Sequence, residues 1–321
     1  MAANSNPMQT ASATPAPDAA AVTLPSAPDF DAWASERATR VRVLLDAALP
    51  QRERLEQAMH YAAALGGKRV RPLLVWAVGD AVDAQPQALD AAACAVELVH
   101  AYSLVHDDLP CMDDDVLRRG QPTAHVRFGE ALALLAGDAL QTRAFEVLTA
   151  DAAVPAAVQA RLCALLARAA GADGMAGGQA VDLQATGRTL DIDALGAMHR
   201  RKTGALLKAS VLMGLACAPQ RGDDCAAALG AYADAIGLAF QVVDDLLDVS
   251  ADSATLGKTA GKDARQGKST FVSLLGADAA LQLAQRLRDD ALGALDALPP
   301  AVRARSARLA ELARRIVSRS H

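Results

Sequence analysis

Aromatic residues are scarce in this chain, at 3% of 321 residues. Ala and Leu dominate instead, within an apolar share of 52%, and that mixture favours helices over strands. Paired cysteines are lacking too. The five present, Cys94, Cys111, Cys163, Cys217 and Cys225, are odd in number and none forms a C-x-x-C pair. That argues against a disulfide framework or a zinc knuckle and points to free thiols in a reducing cytoplasm. No basic block stands out and the net charge is −5, so no nucleic-acid partner is expected. No apolar run approaches the roughly 18 residues that a bilayer crossing needs, so no membrane span is expected. Residues 1–29 contain no Lys or Arg, which speaks against a secretory signal or a transit peptide. Their Ala, Pro, Ser and Thr bias reads as a disordered leader.

From Phe30 to the end the pattern is helical nearly everywhere. Val41, Leu44, Leu45 and Ala48 recur at three and four residues, and Pro50 stops that helix. A second helix ends at Gly66 and Gly67, and a third opens with Pro72 in its first turn, where the missing N–H costs little. Leu89 to Asp108 reads as a long, mostly apolar helix. Others are expected over 130–150, 155–170, 192–215, 224–249 and twice after Ala277. No segment alternates convincingly as a strand. The expected architecture is all-α: one large single-domain helical bundle over 30–321.

Two acidic clusters break this pattern. Asp107, Asp108, Asp113, Asp114 and Asp115 put five carboxylates into nine residues at the end of an apolar helix. Far along the chain, "FQVVDDLLDV" carries Asp244, Asp245 and Asp248. Asp244 and Asp248 are i and i+4 and project from one helical face, which Gln241 shares. Two helices presenting carboxylates inward could cage Mg²⁺, which takes oxygen ligands from a few carboxylates plus substrate phosphates. Within the first cluster Pro110 distorts the helix, so spacing alone does not choose among Asp113, Asp114 and Asp115. The cations fit the same scheme. Lys68, Arg69 and Arg71 follow a Gly-Gly pair at a helix start, where N–H groups favour phosphate. Arg118 and Arg119 follow the first cluster, and Lys258, Lys262 and Lys268 follow the second. Metals hold phosphates, basic residues hold the remaining oxygens, and apolar volume between helices receives a hydrocarbon tail.

At this point the motifs "GGKRVRP", "HAYSLVHDDLPCMDDDVLRRGQPTAH", "GDALQTRAF", "GGQAVDL", "HRRKTGALL", "FQVVDDLLDV" and "LGKTAGKDARQGKST" occur in the order seen in the short-chain trans-prenyltransferases. From residue 30 onward the chain resembles that family, and its bacterial farnesyl-producing branch most. The resemblance implies a helical bundle around a deep apolar cavity, usually a homodimer, that joins isopentenyl diphosphate head-to-tail to an allylic diphosphate. It implies that Asp107 and Asp113 are principal Mg²⁺ ligands with Asp108 beside them, and that Asp244 leads the second set with Asp245 and Asp248. It assigns Lys68, Arg71, His100 and Arg119 to isopentenyl diphosphate. It assigns Arg118, Lys202, Thr203, Gln241 and Lys258 to the allylic diphosphate. Asp107, Asp113, Lys202 and Asp244 then carry the catalysis.

Tyr102 and Ser103 lie about one turn before Asp107 and would floor the cavity. In the synthases the chain resembles, bulk there together with the two extra residues inside the first motif accompanies a short product, so the resemblance favours a fifteen-carbon farnesyl product over geranyl or geranylgeranyl products. A terpene cyclase is disfavoured by the second Asp-rich motif and by the Lys68/Arg71 pocket. A silent subunit is disfavoured because both sets of aspartates are kept. His106 beside Asp107 suggests a metal phosphohydrolase, yet no further His-rich motif accompanies it. The Gly- and Lys-rich stretch 250–270 is expected to close over substrate.

Overall fold

The computed structural model describes residues 29–250 and 267–318. Several of its helices begin where a side chain partners otherwise unsatisfied N–H groups. Asp29 caps α1 (Phe30–Ala48) by accepting from Ala32 N–H at 3.3 Å. Glu53 and Glu56 form a capping box on α2 (Arg54–Ala64). Gly66 and Gly67, at φ 80° and 121°, then turn the chain into α3 (Val70–Val82). The long helix α4 (Pro86–Asp107) starts at its proline, three residues earlier than the apolar run suggested.

Beyond α4 comes a hairpin that sequence reading did not expect: β1 (Leu117–Arg118) pairs antiparallel with β2 (Gln121–Pro122). Arg119 and Gly120 form its turn with φ of 54° and 74°, the positive pair that suits a two-residue hairpin loop. Two-residue strands leave no alternation to read. Then follow α5 (Ala124–Phe128), α6 (Glu130–Thr149), α7 (Ala156–Ala170) and α8 (Met175–Ala185). The helix expected over 192–215 is α9 (Ile192–His199) and α10 (Ala205–Ala216), joined by a single π turn at Arg200–Gly204. The last elements are α11 (Gly222–Ser250), α12 (Phe271–Leu275), α13 (Ala277–Asp296), α14 (Pro300–Arg303) and α15 (Ala307–Val317).

Buried side chains from Phe30 to Val317 form one cluster. α4 packs along α6, α10 against α3, and α11 along α13. Tyr232, fully buried in α11, donates its hydroxyl to Leu309 O at 2.7 Å and so ties the C-terminal helix to the core. The expectation that no apolar stretch is long enough for a bilayer needs correction. α4 and residues 224–249 of α11 are long and apolar enough to cross a bilayer by length and composition. Yet 72% and 61% of their apolar windows are buried inside the fold, so the surface they would offer lipid is taken up by neighbouring helices. Of the expected leader over 1–29, residues 1–28 lie outside the described residues, and Asp29 is the cap of α1.

Candidate active site

The chain leaves α4 by folding back on itself. Asp113 N–H donates to Asp107 O at 2.8 Å, and Asp114 N–H to Leu109 O at 3.1 Å. Asp114 takes the left-handed region at φ 52°, which Asp tolerates better than bulkier residues. This coil sets Asp113 and Asp115 on the same cavity wall as Asp107 and leaves Asp114 exposed, off that wall. A turn, rather than helical periodicity, selects the carboxylates.

The cavity has a volume of about 640 Å³. Its opposite wall is α11, from which Gln241, Asp244, Asp245 and Asp248 reach it. Both oxygens of buried Asp245 are engaged: Gln241 Nε2 donates to one at 2.9 Å, and Phe271 N–H to the other at 2.8 Å. Thr203 Oγ1 donates to Gln241 Oε1 at 3.1 Å, which ties the π turn to α11.

Cations answer the carboxylates. Lys202 Nζ lies 2.6 Å from Asp182 on α8, and Lys268 Nζ lies 3.2 Å from Asp113 and 3.5 Å from Asp182. Burial pushes the Asp182 carboxyl up, but Lys202 and Lys268 outweigh it and hold it below the usual range. Burial also pushes Asp107 up, to about 6, against the pull of Lys202 and with a further push from Asp113. Arg118 donates through Nε to both oxygens of Asp108 at 2.8 and 2.9 Å, and its Nη2 lies 3.6 Å from Asp115. Asp108 is buried in that pair and does not line the main cavity. Asp108, expected beside the metal ligands, is engaged here by Arg118.

At the other end of the cavity stand Arg71, His100 and Arg119. Burial, then Arg71 and Arg119, keep the His100 imidazole well below its usual pKa, so it is neutral at pH 7. Lys68 is exposed and does not line the cavity, unlike its neighbour Arg71. Lys258 and Lys262 lie outside the described residues, as does most of the stretch expected to close over substrate.

Tyr102 and Ser103 line the cavity one turn below Asp107. Tyr102 packs edge-on against His106, ring centroids 5.8 Å apart. His106 in turn fits against Gly137, where an added Cβ would stand 2.1 Å from its Nε2. That imidazole, considered from sequence as a metal ligand, buttresses the tyrosine. Leu104, Met112, Leu183 and Phe240 complete an apolar lining.

Sequence reading missed Asp182, Gln179 and His199. All three line the cavity. The motif "GGQAVDL" was the available signal, but it carries two adjacent glycines, which weaken a helix on propensity alone. They serve a close approach instead: a Cβ on Gly178 would lie 2.2 Å from Lys202 N, so only glycine lets α8 carry Asp182 up to Lys202. Both ring nitrogens of His199 and both amide atoms of Gln179 are buried without a hydrogen-bond partner among the described residues. Burial, with Lys202 beside it, lowers His199 to about 4.

Among the described residues no three His, Cys, Asp or Glu side chains converge on one point; the carboxylates line one cavity from separate elements. The polyprenyl synthetase family model matches residues 52–294. A farnesyl diphosphate synthase of Escherichia coli is 53% identical over 75% of this chain and 82% of its own length. One from Haemophilus influenzae is 50% identical over 76% and 83%. The solved structure of a Helicobacter pylori geranyltransferase, complexed with magnesium and isoprenyl diphosphate, aligns with a TM-score of 0.79 at 36% identity, over 89% of this chain and 97% of that one.

Proposed function

Because the chain belongs to the polyprenyl synthetase family, we propose that it is a farnesyl diphosphate synthase, condensing isopentenyl diphosphate with dimethylallyl and then geranyl diphosphate. One observation carries this reading: a single cavity gathers both carboxylate clusters, the cations beside them and an apolar lining.

The donor set fits Mg²⁺. Asp107, Asp113 and Asp115 on one wall and Asp244 and Asp248 on the other are hard oxygen donors, as that ion prefers. These residues would hold it, and bound there it would offset the charge of a departing diphosphate. The protein's own groups account for the rest. Lys202 and Lys268 face the leaving diphosphate and stabilise the charge that builds as the allylic C–O bond breaks. Arg71 and Arg119 grip the other diphosphate, with neutral His100 able to donate one hydrogen bond. The alkene of isopentenyl diphosphate then supplies the electrons of the new C–C bond, and a proton leaves the adjacent carbon for the released diphosphate. Leu104, Met112 and Phe240 keep water from the allylic cation. Thr203 and Gln241 hold the π turn that presents Lys202. Tyr102 closes the floor and favours the fifteen-carbon product.

Two attributes belong to the same proposal. The five cysteines are free, which suits a cytoplasmic enzyme. A homodimer is supported by Leu134 and Leu135 on α6, which are 47% and 52% exposed and give a second copy an apolar face. The test is a product assay with Mg²⁺, labelled isopentenyl diphosphate and each primer in turn. Farnesyl diphosphate from both primers is expected. A geranyl or geranylgeranyl product would overturn the floor, and no condensation would overturn the reading in favour of a silent subunit.

A further inference from the structure

The turn "GGKRVR" sends its basic residues in different directions. Arg71 faces the cavity, whereas Arg69 is turned away from it and buried, 9% exposed. Its φ is 48°, a left-handed conformation that a long side chain adopts only where its surroundings enforce it. Here the enforcing groups are evident. Arg69 Nη1 donates to Glu97 Oε1, and Nη2 donates to Ala63 O at 3.1 Å. Glu97 is 3% exposed on α4 and does not line the cavity. It shares a helical face with His100 and Asp107, at three and ten residues' distance.

Such a buried pair is weak evidence for stability, because desolvation offsets much of the attraction. A second role emerges from its neighbour. Arg119 sits in the hairpin turn at φ 54°, its guanidinium packed on Gly67, where an added Cβ would lie 2.6 Å from Cζ. Among the described residues it forms no ion pair, and it faces the cavity. The contact with Gly67 holds the Arg119 guanidinium against the same turn that, two residues on, carries Arg69 into its pair with Glu97, and Glu97 attracts that guanidinium too. Glu97 is therefore a competitor for the guanidinium that the substrate needs.

We propose that Arg69 is a positioning residue: by occupying Glu97 it leaves Arg119 turned to the cavity to hold the diphosphate of the isopentenyl substrate. This rests on the function proposed above. Without Arg69 the buried Glu97 carboxylate is unpaired, and Arg119 is the cation able to swing in and neutralise it. The affinity lost is for one substrate only, since the allylic end of the cavity is untouched.

The test is calorimetric binding of isopentenyl and geranyl diphosphate to the full chain, with the fold of each variant checked by thermal melting. Arg69→Gln should weaken isopentenyl diphosphate binding ~10-fold or more and leave geranyl diphosphate within ~2-fold. Arg69→Gln with Glu97→Gln should restore isopentenyl diphosphate to within ~3-fold of wild type, because the competitor is gone. Glu97→Gln alone should also stay within ~3-fold, and it keeps the idea exposed to disproof if the Arg69 variant does not fold. A double variant as weak as the single, equal loss for both ligands, or a ~10-fold loss from Glu97→Gln alone overturns the proposal. If the wild type binds isopentenyl diphosphate and obeys this pattern yet condenses nothing, the positioning role stands and the synthase reading falls. If the wild type does not bind it, both fall.

Discussion

The two ends of the cavity handle charge in opposite ways. At the end walled by the last turn of α4 and by α11, carboxylates and cations are interleaved: Lys202 with Asp182, Lys268 with Asp113 and Asp182, Arg118 with Asp108 and Asp115. At the other end Arg71 and Arg119 face the cavity beside a neutral His100, and the nearby carboxylate Glu97 is held by Arg69. A mixed-sign site suits a ligand that arrives with divalent cations and must lose its anion during the reaction. A single-sign site suits an anion that is gripped and kept. On the function proposed above, chemistry belongs to the first end and retention to the second.

Breaking the comparison at its stronger end should have the largest effect. Asp107→Asn and Asp244→Asn should each lower kcat by at least about 100-fold while far-UV dichroism stays native. Isopentenyl diphosphate affinity should change little. At the retaining end, Arg119→Gln should raise the KM for isopentenyl diphosphate by roughly 30-fold, as expected for losing hydrogen bonds to a charged group, with kcat and the allylic KM nearly unchanged. If the KM for both substrates rose together, the two ends would not be separate. A change between the ends, Tyr102→Ala, should leave both affinities alone and lengthen the product from fifteen toward twenty carbons, read by chromatography.

The smallest effect lies in the acid limb of stability. The folded pKa of His199, about 4, is below its unfolded value of 6.5. Its contribution to stability is present above pH 6.5 and is lost as the pH falls to about 4. Asp107 runs the other way: its folded value of about 6 exceeds 3.8, so its contribution is full below 3.8 and lost as the pH rises through 6. The two oppose each other between pH 4 and 6. His199→Gln should therefore gain stability relative to wild type on going from pH 7 to pH 4.5, and Asp107→Asn should lose it. Urea denaturation should read each difference at no more than about 2 kcal/mol. Parallel shifts in the two variants would refute these assignments.

Much of this was legible in the residues, because helix periodicity, caps and paired acidic motifs are local signals. The second cluster could be read directly, since Asp244 and Asp248 sit on a regular helix. The first could not: Asp113 reaches the cavity through a reversal in which Asp114 is left-handed, and no spacing rule encodes that. Asp182 escaped notice because the glycines that allow its helix to approach Lys202 also weaken the helix signal. Arg69 looked like its neighbours, since its inward direction depends on Glu97, 28 residues away. α4 carries Glu97 and His100, so its bilayer-like character lies in its average hydropathy rather than in an unbroken apolar run.

The π turn at Arg200–Gly204 makes two consecutive residues serve opposite walls, Lys202 toward α8 and Thr203 toward α11. It works as a clasp with one link more than a regular helix would need. Both of its ends are fixed: α9 by its Asp191 cap, and α10 by Gly214, where an added Cβ would lie 2.6 Å from Val75 O. Removing one residue from the clasp would not simply shorten it. The turn would close as ordinary α-helix between its two fixed ends, and either Lys202 or Thr203 would lose its wall. Here the chain can tolerate a change of letter far more readily than a change of count.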